Sequence, residues 1–364
     1  MARARAGGIR FFMASAPPAL APSTGSIGTP PAGSIHVAKQ RDSIGSWPLA
    51  DRIAYLLCWI VGIGLCLIAA AIVLFMLVKG ISYLNLKLLL THPNAQPDQA
   101  HSGGILDPIE GTLLLTAVGI AIAAPLGVGL AVWMSEYQRP AGLARLVESG
   151  VEMIAGAPSV LLAMFGLALF ARPVLAFLSQ TSAGGSVFGR SFLTAGAMMS
   201  LLALPLVVAA TREALLQVPA HVREASYALG KTKATTIRKV LLPSVRPSIA
   251  NGITLGVGRI VGDTAIVVIL LGAATRLEGT GSAPLLSTLR GTGGTLTSYV
   301  LFNSPAGEGN AHEKAYAAAF VLLLMVLALN VIVMRLNSSR AGTGQSLGAS
   351  SRWRVMTGAL PWIR

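Results

Sequence analysis

Six apolar runs set the plan of this chain, at about 54–78, 111–134, 151–178, 192–210, 249–271 and 315–333. Each comes near or exceeds the roughly 20 residues that an α-helix needs to cross a bilayer. The pattern predicts an all-α, polytopic membrane protein with six transmembrane helices. Pro125 interrupts the second run, and Gly156-Ala157-Pro158-Ser159 lies inside the third. A membrane helix tolerates proline where neighbours satisfy the freed carbonyl, so Pro125 and Pro158 are either bending points or ordinary membrane prolines. Polar segments separate the runs. They include a Gly/Ser-rich hairpin at 181–190, a basic stretch at 221–247 and a Gly/Thr/Ser-rich loop at 272–314. No internal repeat is visible, which gives inverted-repeat transporter folds no support.

Composition agrees with the pattern. The chain is 53% hydrophobic and 12% charged, about half the charge of a soluble domain. A net charge of +14 would suggest nucleic acid in a soluble chain. In a polytopic one, Lys and Arg concentrate in cytoplasmic loops instead. With both termini inside, twenty of the 28 Lys and Arg fall at 1–53, 135–149, 211–247 and 335–364. The bias predicts an N-in, C-in chain whose surroundings are lipid, with no nucleic-acid partner. Residues 1–52 are Arg-rich and acid-poor like a transit peptide, but Pro17, Pro18 and Pro22 break any apolar core. They read as a disordered cytoplasmic tail, followed by a membrane domain at 53–337 and a second tail at 338–364. Cys58 and Cys66 share one apolar run and read as packing residues.

Several motif look-alikes fail on their spacing. Gly230-Lys231-Thr232 imitates the end of a phosphate-cradling loop, but the first glycine that pattern needs is Ala225. His312-Glu313 has no second histidine four residues on, and Gly256-x-Gly258 follows no strand. Ser159 has no histidine near it in sequence. The chain is therefore expected to hold no metal, no cofactor and no catalytic site of its own.

Two features carry chemistry. The first is the 221–247 stretch. Glu224-Ala225-Ser226 is followed after three residues by Gly230, and after nine more by Val240-Leu241-Leu242-Pro243. This reads as a helix at 222–229, a glycine stop, and a second helix at 235–241 ended by Pro243. It is either a handle for a partner or a positive-inside loop with an interfacial helix. The second is Arg259 with Asp263 in the fifth run. Four apart on a helix they share a face, and charges there cost roughly 2.5–3.5 kcal/mol each by insertion scales. They form either a structural ion pair or a site in which Arg259 binds an anion and Asp263 holds its geometry. Arginine suits phosphate because its planar fork offers two parallel donors. Gly252-x-x-x-Gly256 and Gly258-x-x-x-Gly262 allow close helix approach beside it.

The 224–243 spacing resembles the EAA loop of binding-protein-dependent ABC importer permeases, with Ser226 in place of a second Ala and Val240 in place of Ile. Further segments are similar to phosphate-importer permeases of the PstA type: Gly103-Gly104-Ile105-Leu106, Ser135-Glu136-Tyr137, Gly156 to Val160, Thr211 to Leu215, Arg223 to Gly230, Gly258 to Ala265 and Tyr316 to Asn330. The resemblance covers about 52–337. Where that family usually has Glu and Pro, this chain has Asp263 and Ile266. The resemblance implies a type I importer (MetI-like) fold in a bacterial cytoplasmic membrane, forming half of a pore. It implies a translocation path at Arg259, Asp263, Pro158 and Ser159. Docking of an ATPase would fall on Glu224, Ala225, Ser226, Gly230, Leu242 and Pro243. The implied partners are two copies of a PstB-like ATPase that uses ATP and Mg, a PstC-like second permease and a PstS-like phosphate-binding protein. A sulfate or molybdate importer, a proton-coupled secondary transporter relaying through Asp263, and a scaffold are the rival readings.

Overall fold

Proline and capping chemistry decide where these apolar runs stay whole and where they break. The structure is a computed structural model and describes residues 48–93, 103–137, 140–179, 188–272, 284–305, 307 and 311–357. Of the expected tail at 1–52, residues 1–47 lie outside the described residues, and 49–52 open the first helix.

Helix α1 (Leu49–Gly80) has Asp51 in its first turn and Lys79 in its last, charges that suit the helix dipole. A short α2 (Leu86–Leu90) precedes α3 (Leu106–Val132), which runs through Pro125 and widens into a π turn at Trp133–Tyr137. Next come α4 (Ala141–Gly156), α5 (Ser159–Phe170) and a 3-10 turn at Pro173–Leu178. Helix α6 (Phe192–Gln217) starts on a capping box in which Ser191 Oγ accepts from Thr194 N and Thr194 Oγ1 accepts from Ser191 N. The basic stretch folds as α7 (Ala220–Ala228), α8 (Lys233–Thr236), a π turn at Ile237–Leu241 and α9 (Leu242–Ser244). It leads into α10 (Arg246–Gly262) and α11 (Ala265–Leu270). The chain closes with α12 (Pro284–Arg290), α13 (Leu296–Asn303) and α14 (His312–Thr357).

Four of the predicted spans are uninterrupted helices: Leu49–Gly80, Leu106–Tyr137, Phe192–Gln217 and His312–Arg335. The third is broken, and its helices α4 and α5 meet at 109°. Ala157 and Pro158 are both extended there, with ψ of 134° and 133°. The residue before a proline avoids helical geometry, and the proline has no N–H to continue the ladder. The fifth is broken at Asp263-Thr264, between α10 and α11. Pro243, expected to stop a helix, instead lies inside α9. The preceding π turn shifts the ladder, so that Leu242 N–H bonds Ile237 O, and helix continues past the proline.

The chain divides into two units at Gly64–Leu65, inside α1. The described part of the first is the opening half of α1, where Tyr55 and Trp59 meet edge to face. In the second, α6 is the central helix, with 72% of its most apolar window buried. Its neighbours include α3, α10, α4, α5 and α11. Lipid tails are as apolar as leucine, so helices in a membrane gain by close packing rather than by escaping water. Small residues do this work where α3 meets α6. A Cβ at Gly127 would lie 2.9 Å from Val207, and one at Gly196 would lie 2.4 Å from Val118 Cγ1. Buried Ala123, Ala195 and Ala203 join Met198, Met199 and Ile260 in the same cluster. Cys58 and Cys66 are free and exposed on α1, so they do not pack within the chain as expected.

Candidate functional site

The 221–247 stretch protrudes as two short helical limbs around Gly230, which holds φ at +73°. That conformation suits glycine, and a Cβ there would meet nothing within 4 Å. The limbs are joined by Ser226, buried, whose hydroxyl bonds that of Thr236 at 2.8 Å. Below them Leu215, Ile237, Leu241 and Val245 form a small core, with Leu242 packed against it. Of the predicted docking residues, Glu224, Ala225 and Gly230 are exposed, Leu242 and Pro243 are half-buried, and Ser226 is inside. Leu229 adds an apolar tip, 77% exposed. The motif thus separates into an outward surface at 224–231 and an inward set that shapes the loop.

Sequence reasoning had no role for Arg223 or Glu136. Arg223 Nε and Nη2 donate to Glu136 Oε1 at 3.1 and 2.9 Å. Its Nη1 donates to Val218 O at 2.7 Å, and Nη2 also to Leu215 O at 2.8 Å. Lys233 donates to Glu136 O and lies 4.6 Å over the Tyr137 ring, a cation–π contact. Arg212 pairs with Glu148 on α4 at 2.6 Å. The sequence signals were the motif segments Ser135-Glu136-Tyr137 and Arg223 to Gly230, which carried a resemblance but no pairing.

Helix α10 presents two faces. On one, a Cβ at Gly252 would stand 3.0 Å from Ala210 Cβ and 3.1 Å from Val207 Cα, and one at Gly256 would stand 3.2 Å from Ala203 Cβ. This face is seated on α6, together with buried Ile260. The other face carries Asn251, Leu255, Arg259 and Gly262, all exposed in the isolated chain. Gly258 and Gly262 have nothing within 4 Å of a built Cβ. Only the first glycine pair, therefore, serves packing within the chain.

Arg259 and Asp263 do not share a helix face. Asp263 lies one residue beyond the end of α10 with ψ of 126°. Its Oδ1 accepts from Ile266 N at 3.0 Å and so caps α11. Among the described residues no ion pair or hydrogen bond joins it to Arg259. This replaces the expected carboxylate–guanidinium pair by a buried cap and a guanidinium with open donors. Pro158 is exposed at the break before α5, and Ser159 is half-buried as its first residue. The helices that follow the two breaks, α5 and α11, pack on each other through a cluster containing Ala163, Phe170, Ile266, Val267 and Leu270.

Residues 123–339 match the family described as "Binding-protein-dependent transport system inner membrane component", and the chain belongs to it. It is a permease component of an ABC importer, a multi-pass inner-membrane protein, and its family works with an ATPase and a substrate-binding protein. Among curated relatives, the chain is 29% identical over 266 residues to the phosphate transport system permease protein PstC of Pasteurella multocida, covering 68% of this chain and 79% of that one. It is 32% identical over 235 residues to phosphate transport system permease protein PstA 1 of Mycobacterium tuberculosis, covering 65% and 70%. A bacterial alginate ABC transporter solved with its pentasaccharide-bound periplasmic protein shares the fold. The TM-score is 0.55 at 14% identity, over 80% of this chain and 96% of that one.

Proposed function

We propose that this chain is one of the two permeases of an ATP-driven inorganic phosphate importer, with Arg259 presented to the passage between them. The observation that carries this reading is Arg259 itself. It is exposed on the open face of α10 beside Gly258 and Gly262, and among the described residues no group takes its donors. An arginine in a low-dielectric segment is costly unless paired, so its partner lies outside the described residues, and the second permease or the anion fits that role. Relatives named for phosphate transport favour phosphate over sulfate or molybdate. Because those relatives carry both the PstA and the PstC name, the PstA assignment rests on the motifs from Gly103 to Asn330.

The rest of the assembly follows from the loop. The exposed 224–231 surface is the dock for an ATPase, present in two copies and PstB-like, which binds ATP and Mg. A PstC-like permease completes the pore, and a PstS-like protein delivers phosphate on the opposite side. The Lys and Arg bias puts both termini and the loop in the cytoplasm. Nucleotide-driven closure of the ATPases moves the loops, and the permease alternates between two states that a solute can bias only by differential affinity. A proton relay through Asp263 is disfavoured, because that carboxylate is engaged as a helix cap.

Reconstitution of the four components in liposomes tests the reading. Uptake of radiolabelled phosphate is expected only with ATP on the ATPase side, and a tenfold excess of sulfate is expected to leave it unchanged. Uptake driven by a proton gradient without the ATPase would refute it.

A further inference from the structure

We propose that Arg223 and Glu136 are a positioning pair that makes the docking loop and the end of α3 one mechanical unit. Force applied to the loop would then enter the bundle through α3 as well as through the loop's own flanking helices, α6 and α10. The proposal rests on the reading of the loop as an ATPase dock.

Both limbs of the loop hold Glu136. From α7, Arg223 donates twice to the Glu136 carboxylate. From α8, Lys233 donates to the Glu136 carbonyl and covers the Tyr137 ring. Glu136 and Tyr137 lie far from the loop in sequence, in the π turn that ends α3. The remaining donor of Arg223 and a shared one reach Val218 O and Leu215 O, where α6 runs out. One guanidinium therefore ties together the loop, the last turn of α6 and the last turn of α3. The carboxylate side chain is 6% exposed and the arginine 22%. Shielding from water strengthens such a pair and makes either member costly to leave alone.

The surroundings suit transmission. Helix α3 packs along α6 and reaches α10, the helix that carries Arg259. The π turn is the wider and less regular part of α3, a form found often at functional positions. The outward residues of the loop, among them Glu224, Ala225 and Gly230, take no part in the clamp. Docking and transmission are thus assigned to different side chains.

The test uses the full reconstituted complex, with radiolabelled inorganic phosphate as probe and phosphate taken up per ATP hydrolysed as the readout. R223Q and E136Q are each expected to lower that ratio roughly tenfold, within the range seen when a coupling contact is removed. ATP hydrolysis and co-purification of the ATPase are expected to persist in both. R223K, which keeps the charge but fewer donors, is expected to fall between. The double variant E136Q/R223Q is expected to be no worse than R223Q alone, as for one shared interaction. Unchanged ratios, additive losses, or losses that always track loss of the ATPase would overturn the clamp. If the unmodified complex shows no ATP-dependent uptake, the transport reading itself falls and takes the clamp with it.

Discussion

Arg223 and Arg259 carry the same head group into opposite situations. Arg223 is engaged by a carboxylate and two carbonyls of its own chain. Arg259 is engaged by none of the described residues and stands on an open helix face. The two faces of α10 repeat the contrast, since Gly252 and Gly256 are filled by α6 while Gly258 and Gly262 look onto nothing. A donor or a small residue satisfied inside the chain explains how the chain folds. One left unsatisfied points to whatever the chain meets.

The contrast can be broken by substitution. Gly252→Val and Gly256→Val are expected to have the largest effect on folding. They force α10 off α6 and cost about 1–3 kcal/mol or more, as overpacking does, read as a loss of thermal stability of the purified chain in detergent. Gly258→Val and Gly262→Val are expected to leave that stability unchanged while weakening assembly with the second permease. Equal destabilisation at all four positions would erase the distinction between the faces.

Smaller effects sharpen it. Gly230→Ala asks a residue with a Cβ to hold φ at +73°, at a cost of about 1 kcal/mol. It should reduce ATPase co-purification, as should Glu224→Ala, without changing the fold of the bundle by circular dichroism. Asp263→Ala is expected to cost about 1 kcal/mol through the lost cap. Asp263→Asn, which still offers an acceptor to Ile266 N, is expected to leave uptake close to the parent value. Abolished uptake in Asp263→Asn would restore the proton-relay reading.

The apolar runs made the all-α membrane class legible, because hydropathy and length act over many residues at once. The spacing from Glu224 to Pro243 made the loop legible for the same reason, as each fixed residue type meets a local backbone need. Pro158 left a bend open in the third run, but Gly262 to Thr264 read as part of a continuous span, because a run's mean hydropathy does not register one extended residue, Asp263. The Arg259–Asp263 pair was misread because helical spacing was assumed across the point where the helix ends. The Arg223–Glu136 clamp lay out of reach of the sequence, since it joins segments that only the packing of α3 on α6 brings together.

Phosphate uptake by the reconstituted complex carrying Arg259→Gln or Arg259→Lys tests the central claim most directly. With assembly and ATP hydrolysis intact, Arg259→Gln is expected to lower uptake by roughly 10- to 100-fold, the worth of charge-assisted hydrogen bonds to an anion. Arg259→Lys is expected to recover part of it. Parent-level uptake in Arg259→Gln would contradict the claim and move the anion's path elsewhere.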